Sequence, residues 1–479
     1  MRLRRSAFSG AAWTSAATLA VVLLQLGQIA ALARLLRPED FGLMALVVLV
    51  VAFAHAIADV GLGGAIIQRQ DATRESLSSV FWLGVVAGVI LCAALALAAP
   101  LAASAFGEPR LRALITLGAL SLLVLPASLY FQALLQKALA FRLLAAIDVL
   151  AAAAAVCVAL ASALAGQGVY ALLWAMLTAI VVRGAALIAI GLRRWPPGLR
   201  LRREDLRGYA RFGAFQVVER SINYLGFNLD KLLIGSLIGT LGLGLYSVAY
   251  QLVMRPVQFV APIVNRVALP VFALAQADDA RLRAGFLDAL RVVSIVMFPV
   301  YAGMIVLAEP FVRVVLGPAW LGAVPVLRLL AVLGFFYSIG NPIGSLLVAK
   351  GRVGLSLALN VWLVALYAAA TVAGARWGVE GIATGLVIAT ACGLFPVGFY
   401  IRWRLVRMRP AEYLASLAPA LAAALAMGAL VAAVRASGHF SLRPLAELVA
   451  YACLGAIAYL LAIVPWQWKF LVRVRDAVR

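Results

Sequence analysis

Two segments of the sequence carry polar and charged side chains within apolar surroundings. In residues 213–237, read as an α-helix, one face holds Gln216, Glu219, Arg220, Asn223, Asp230 and Lys231. In residues 243–266, a second stripe holds Gln251, Arg255, Gln258, Asn265 and Arg266. Guanidinium groups bind phosphate oxygens in pairs, and amide groups suit sugar hydroxyls. The two stripes therefore predict a water-filled lumen that binds an anion carrying hydroxyl-rich groups.

Charged neighbours leave two interpretations of these stripes open. The first assigns binding of the anion and its hydroxyl groups to Arg220, Arg255, Lys231, Asn223, Gln251, Gln258 and Arg266. In the second, Glu219 neutralises Arg220 and Asp230 neutralises Lys231, so that both pairs only fix helix packing. Lys231 can also extend towards the membrane surface, and Arg266 can simply mark a helix end. Arg255 is the strongest candidate, since residues 243–266 contain no acid.

Acidic and imidazole side chains within apolar segments are candidates for binding a coupling proton or sodium ion. The candidates are Asp59, His55, Glu219 and Asp230. His55 and Asp59 are four residues apart and share a helix face, where a carboxylate–imidazole pair can carry a proton. The alternative is a satisfied polar pair between helices. Asp148, at the beginning of another apolar segment, is predicted to be interfacial.

The sequence shows no arrangement of residues that is typical of catalysis. It has no P-loop, no nucleophile–histidine arrangement and no large loop that would hold the site of a polymerase or ligase. The four cysteines, Cys92, Cys157, Cys392 and Cys453, lie in apolar runs without a Cys or His at ligand spacing. We therefore expect no metal site, no cofactor and no enzymatic activity.

The elements that position these residues follow from composition. The 479 residues are 65% hydrophobic, with a mean hydropathy of +1.04. The apolar runs are continuous and about 20 residues long, which predicts membrane-spanning helices and not a β-barrel. About fourteen spans are predicted: 13–33, 41–66, 78–99, 112–134, 146–166, 169–191, 213–237, 243–266, 290–308, 322–348, 354–374, 381–401, 413–434 and 445–464.

The net charge of +22 resembles that of a nucleic-acid-binding protein, but the placement of the charges argues against nucleic acid. Lys and Arg gather in alternate connectors, including residues 2–5, 193–211 and 402–409. Such a bias predicts that these connectors and both termini are cytoplasmic. The basic first residues lead into a full-length span, so no cleavable signal peptide is predicted. The expected location is the bacterial inner membrane.

A weak internal repeat divides the chain. It aligns Gly42 with Gly244, Lys137 with Lys350, and Gly168 with Gly378. The repeat unit has six helices, so both halves enter the membrane from the same side, and alternating access around a central cavity is expected. The predicted domains are an N-terminal bundle at 1–191, a basic linker at 192–212, a C-terminal bundle at 213–401 and two peripheral helices at 413–464.

Three stretches resemble a known family. They are residues 223–273, which begin NYLGFNLDKLLIGSLIG, residues 308–331, AEPFVRVVLGPAWLGAVPVLRLLA, and the N-terminal LARLLRPEDFGLMALV. They resemble bacterial Wzx-type polysaccharide flippases, especially the colanic-acid-exporter-like branch, within the multidrug/oligosaccharidyl-lipid/polysaccharide exporter superfamily. The resemblance is diffuse and covers roughly residues 6–410.

The resemblance implies two six-helix bundles, two additional helices and a cationic lumen. It implies flipping of undecaprenyl-diphosphate-linked oligosaccharide repeat units, with Arg220, Lys231 and Arg255 in the lumen. A polysaccharide polymerase is a candidate partner, and membrane lipid surrounds the chain. Lipid II flippases of the superfamily place arginine on the first helices. The first span here has none, which disfavours a peptidoglycan precursor. The alternative function is a cation-coupled antiporter of drugs or small solutes.

Overall fold

The apolar runs form long helices in a computed structural model of the chain. The structure describes residues 2–58, 66, 73–199, 202, 209–274, 278–340, 342–437 and 443–478. Within these ranges, all regular secondary structure is helical. Backbone N–H and C=O groups find no hydrogen-bonding partner in lipid, and a helix satisfies them internally.

The helices are numbered in chain order. In the first part of the chain they are α1 Arg2–Leu35, α2 Pro38–Ala58, α3 Arg74–Ala105, α4 Arg110–Ala119, α5 Ser121–Lys137, α6 Phe141–Leu164, α7 Val169–Arg194, α8 Tyr209–Leu237 and α9 Thr240–Leu274. The second part contains α10 Asp279–Val306, α11 Ala308–Phe311, α12 Ala323–Gly340, α13 Pro342–Ala349, α14 Val353–Gly374, α15 Gly378–Ile388, α16 Phe395–Val406, α17 Pro410–Ala436 and α18 Pro444–Val478. Short π and 3₁₀ turns continue α11, α14 and α15.

The helices agree with the predicted spans. Among the described residues, 11 helical segments are long and apolar enough to cross a membrane. One of them, Gly354–Val406, is 53 residues long and contains two predicted spans. It turns back at Gly374, whose backbone lies against Gly381 so closely that a Cβ on either residue would collide with the other's carbonyl. α8 and α9, of 29 and 35 residues, supply the two remaining predicted spans. The all-α polytopic fold is confirmed.

The chain forms two compact units, Met1–Gly244 and Leu245–Arg479. In the first unit, α2 packs against α3, α4, α5, α7 and α8. An aromatic cluster of Phe81, Tyr130 and Phe131 fills the space between α3 and α5. Since α8 belongs to this unit, the compact units do not divide where the repeat does. The domain boundaries drawn from the repeat stay a prediction.

Two glycines that the internal repeat aligns are in contact in the first unit. A Cβ on Gly42 would collide with the carbonyl of Thr240, and a Cβ on Gly244 would collide with the carbonyl of Pro38. The beginnings of α2 and α9 therefore cross with their backbones touching, which only glycine permits. This crossing fixes the beginning of α9 against the beginning of α2.

The second unit is built on α10, which packs against α12, α17 and α18. Tyr459 of α18 donates a hydrogen bond to the carbonyl of Ile295 in α10, at 2.8 Å. An apolar groove of about 590 Å³ runs between α10, α17 and α18, and Met427, Tyr451 and Gly455 lie along it. The last two long helices are therefore an integral wall of this unit.

Candidate functional site

The predicted binding residues of the first unit lie on α8, which packs against α2. Tyr224 of α8 donates a hydrogen bond to the carbonyl of Leu49 at 3.0 Å, and its ring lies 6.1 Å from that of Phe53. Further along, Gly235 permits the close approach of Leu46. These contacts fix the rotation of α8 and thereby the direction of its polar face.

A short chain of hydrogen bonds runs along α8. Lys231 donates to the amide oxygen of Asn228 at 2.8 Å, and Asn228 donates to the carbonyl of Tyr224 at 2.9 Å. Asp230 and Arg220 are half-buried on the same helix. Asn228 thus orients the Lys231 ammonium group, a contact that the sequence analysis did not anticipate. The pattern contains its signal, because Asn228 and Lys231 are three residues apart on a helix.

The predicted binding residues of the second unit lie on α9. Leu252, Val253 and Met254 are buried there. Tyr301 of α10 donates to the carbonyl of Val253 at 3.0 Å, and Gly334 of α12 lets both side chains approach closely. This packing clamps one side of α9 to α10 and α12.

The polar stripe of α9 lies away from that clamp. Gln251 and Gln258 are exposed, and Arg255 lies between them, half-buried. The sequence of α9 contains no acidic residue. Ionisable side chains at membrane depth generally face a cavity or another polar group. The stripe therefore offers a guanidinium fork flanked by two amides, which suits a phosphate oxygen beside sugar hydroxyls.

Several predicted site residues lie outside what the structure describes. Asp59 falls in a range that is not described, and the side chains of Glu219, Asn223 and Arg266 are likewise outside the described set. Their roles stay predictions. Of the described binding candidates, Arg220 and Lys231 belong to the first unit, and Gln251, Arg255 and Gln258 belong to the second.

The partner of His55 is a hydroxyl group. His55 Nε2 lies 2.7 Å from the Oγ of Ser121, and that hydroxyl donates to the carbonyl of Gly118 at 2.6 Å. Because the single hydroxyl hydrogen is directed to Gly118, Nε2 must carry the hydrogen that it shares with Ser121. This arrangement matches a satisfied polar contact between α2 and α5.

An ion pair in the first unit was missed by the sequence analysis. Arg183 of α7 donates from Nε to Asp148 Oδ1 of α6 at 2.7 Å, and from Nη1 to Gln132 Oε1 of α5 at 3.1 Å. Asp148 therefore faces a cation on the neighbouring helix and does not merely mark an interface. The available signal was Arg183 itself, a cation in the middle of an apolar span.

A second arginine, which the sequence analysis counted among the basic connector residues, is buried in the structure. Arg402 of α16 is 2% exposed, and its guanidinium carbon lies 5.6 Å from the ring of Phe286 and 5.2 Å from the ring of Tyr413. Within the described part of the chain, its Nε and Nη1 have no hydrogen-bond acceptor. Two aromatic faces take the place of a carboxylate.

A third cluster lies where α10 ends. Glu309 accepts hydrogen bonds from Arg435 at 2.8 Å and from Arg313 at 3.1 Å. Arg328 donates from Nε to the carbonyl of Ile305 at 3.3 Å. The hydrogen bond from Arg435, with the nearby positive charges, holds the pKa of Glu309 below its usual value against a smaller opposing effect of burial. The cluster ties α17 to the end of α10.

Metal ligation is a separate question. Among the described residues, no group of three or more His, Cys, Asp or Glu side chains could hold a metal ion.

Comparison with known proteins gives consistent matches. Residues 31–325 match the family described as polysaccharide biosynthesis protein. The chain is 30% identical to the teichuronic acid biosynthesis protein TuaB of Bacillus subtilis (strain 168) over 474 residues, 96% of each chain. It is 34% identical to the lipopolysaccharide biosynthesis protein WzxC of Escherichia coli (strain K12) over 389 residues, 81% of this chain and 79% of that one.

Solved structures share the fold. The lipid II flippase MurJ in an inward closed conformation superposes with a TM-score of 0.75 over 97% of this chain and 99% of that chain, at 15% identity. An inward-facing multidrug resistance transporter of the MATE family superposes with a TM-score of 0.62 over 81% of this chain and 96% of that chain, at 18% identity. At these identities the likeness concerns the fold alone.

Proposed function

The chain belongs to the polysaccharide biosynthesis protein family, and from this premise we propose that it is a flippase. Its cargo is an undecaprenyl-diphosphate-linked oligosaccharide repeat unit for exopolysaccharide, O-antigen or capsule synthesis. The names of its relatives support this, since they refer to teichuronic acid, lipopolysaccharide and succinoglycan biosynthesis, the last as a transport protein. These relatives share most of their length with this chain.

The observation that carries the proposal is the stripe on α9. Arg255 lies between the exposed amides Gln251 and Gln258, on a helix without an acid. A cation that has no carboxylate on its own helix is available to an anionic ligand. In the cargo, the negative oxygens of the diphosphate lie beside the hydroxyl groups of the saccharide. In the stripe, a guanidinium group that can bind phosphate lies beside amides that can bind hydroxyl groups.

In the proposed mechanism, the protein exposes its cationic residues alternately to the two sides of the membrane. Arg220, Lys231, Arg255 and Arg266 bind the diphosphate, Asn223, Gln251 and Gln258 bind the glycan, and the prenyl tail stays in lipid. Binding the cargo in either state requires no covalent chemistry, so we infer a transporter without enzymatic activity. Asp59, Glu219, Asp230 and His55 are the candidates for the coupling ion.

The membrane arrangement follows from the same proposal. We infer a multi-pass protein of the bacterial inner membrane with both termini in the cytoplasm, because the basic connectors cluster on one side. A polysaccharide polymerase that uses the flipped repeat unit is the proposed partner.

The test is complementation of a deletion strain. The deletion strain should accumulate lipid-linked oligosaccharide on the cytoplasmic face and lose surface polysaccharide. Arg255→Ala, at normal membrane levels, should restore less than about a tenth of the wild-type polysaccharide, because a charge-assisted hydrogen bond to the cargo is lost. Arg352→Ala is the matched control, since Arg352 is exposed between α13 and α14 and loses the same charge.

Two results would contradict the proposal. Unchanged glycolipid pools and normal polysaccharide in the deletion strain would exclude a flippase. Full complementation by Arg255→Ala would remove the α9 stripe from the mechanism. The alternative, a cation-coupled antiporter of drugs or small solutes, is less well supported, because the likeness to the multidrug transporter is one of fold alone.

A further inference from the structure

We propose that Arg183 is an additional anion-binding residue, located in the first unit, and that Asp148 is its internal counterion, which the diphosphate of the cargo displaces. The inference rests on the proposed function, since it names a residue that would bind the same cargo. It concerns α5, α6 and α7, and none of the stripe residues on α8 and α9 takes part in it.

The Asp148–Arg183 ion pair lies well inside its two helices. α6 and α7 are both long and apolar enough to cross the membrane. At 1.5 Å per residue, Asp148 lies roughly 10 Å from the nearer end of α6, and Arg183 roughly 16 Å from the nearer end of α7. Both side chains are therefore within the apolar thickness of a bilayer. Charged groups at that depth face a polar interior and rarely lipid.

Both side chains of the ion pair are partly exposed. The side chain of Arg183 is 30% exposed and that of Asp148 is 41% exposed, whereas the neighbouring Leu144 and Leu187 are buried. Leu144 of α6 and Leu187 of α7 belong to one buried apolar cluster, whereas the ion pair beside it remains partly open. A ligand can reach this guanidinium without unpacking the helices.

The guanidinium group of Arg183 donates hydrogen bonds to two different helices. Arg183 uses Nε for Asp148 and Nη1 for Gln132. Among the described residues, none accepts a hydrogen bond from its Nη2. The carboxylate therefore holds the guanidinium through one hydrogen bond and not through the bidentate pairing that gives arginine–carboxylate contacts their strength. Gln132 orients the group without neutralising it.

In the proposed exchange, the diphosphate replaces Asp148 as the partner of Arg183. Without cargo, Asp148 prevents Arg183 from being a bare charge inside the membrane, which would be costly. A diphosphate carries more negative charge than a carboxylate and offers several oxygens to the Nε and Nη groups. Diphosphate binding therefore replaces one internal partner by an external one, and Asp148 is released only when the cargo arrives.

The test uses the full-length protein in detergent, with farnesyl diphosphate as the probe and farnesol as the uncharged comparison. Arg183→Gln should weaken binding of farnesyl diphosphate by about tenfold or more, because the cation is lost. Asp148→Asn should strengthen binding several-fold, because the competing carboxylate is removed. Arg193→Gln, at the exposed end of the same helix, is the matched control and should bind as the wild type does.

A purely structural ion pair predicts a different pattern. In that case Arg183→Gln and Asp148→Asn would both leave the affinity of the folded fraction unchanged, whatever their melting temperatures, and this result would overturn the inference. If Arg183→Gln does not fold, Arg183→Lys retains the charge but not the fork, and it should bind more weakly than the wild type. The inference would likewise be overturned if Arg183→Lys and Asp148→Asn both bound farnesyl diphosphate with the affinity of the wild type.

Failure of the inference is distinguishable from failure of the proposed function. Wild-type affinity in all these variants, together with the loss of surface polysaccharide in the deletion strain, would reject the Arg183 site and leave the flippase standing. Wild-type protein that does not bind farnesyl diphosphate, together with normal polysaccharide in that strain, would reject both.

Discussion

Two arginines within the membrane-spanning helices have opposite surroundings. Arg183 in the first unit is partly exposed and donates to a carboxylate and an amide on two other helices. Arg402 in the second unit is buried between the rings of Phe286 and Tyr413, and within the described residues two of its nitrogens have no acceptor. One cation has a partner that a ligand can replace, and the other has no room for a ligand.

The difference shows that a charge within a span does not by itself mark a binding site. Partly exposed ion pairs keep part of their solvation and can exchange partners, whereas a fully buried guanidinium has already lost its water. Cation–π contacts recover only part of that loss. We therefore assign Arg183 to binding and Arg402 to packing of α10, α16 and α17.

The largest effect is expected from breaking the ion pair on one side only. Arg183→Leu leaves Asp148 as an uncompensated charge and should destabilise the protein by about 2 kcal/mol, less than for a fully buried pair because of the exposure. Arg183→Leu combined with Asp148→Leu should recover most of this loss. Thermal unfolding of both variants measures the difference, and a double variant as unstable as the single one would contradict the prediction.

A smaller effect of the opposite sign is expected at Arg402. Arg402→Met removes a desolvated charge and fills a similar volume. The free energy of unfolding should therefore stay equal or rise by up to about 1 kcal/mol. Comparison with Arg183→Leu in the same assay tests whether the two arginines differ as proposed. A loss as large as that of Arg183→Leu would mean that Arg402 has a strong anionic partner.

The smallest effect is expected at Glu309, where the carboxylate accepts hydrogen bonds from both Arg435 and Arg313 at the end of α10. The pKa of Glu309 is lowered chiefly by its hydrogen bond from Arg435. A lowered folded-state pKa means that the stabilisation is present above the unfolded-state value of about 4.3 and is lost as pH falls through the folded-state value.

The measurement is the difference in melting temperature between the wild type and Glu309→Gln across that range. At neutral pH the wild type should be slightly more stable, and the difference should shrink as pH falls below the unfolded-state pKa and vanish once pH is below the lower folded-state pKa. A difference that does not depend on pH would show that the carboxylate charge contributes nothing.

Much of the fold was predictable because it depends on local patterns. The continuous apolar runs predicted the membrane-spanning helices, and the internal repeat aligned Gly42 with Gly244. Their contact was not predictable, since an alignment of two segments does not say that they touch. The stripe of Gln251, Arg255 and Gln258 was also predictable, because positions four and three residues apart share a helix face.

The partners of individual charges were not predictable. Lys231 was expected to be neutralised by Asp230 or to bind a ligand, and it also donates to Asn228. Asp148 was expected at an interface, and it pairs with a cation 35 residues away along the chain. Nothing in the local pattern around Asp148 indicates which helix lies beside it.

The sequence by itself determined that this is an all-helical membrane protein, which faces of its helices are polar, and the family to which it belongs. Hydropathy and helical periodicity are properties of one segment at a time, so a segment suffices to reveal them. Only the tertiary structure decided that Arg183 pairs with Asp148 and Gln132 and that Arg402 lies between two aromatic rings. Pairing energies depend on distances between helices and on exposure to solvent, and both arise only when distant segments pack together.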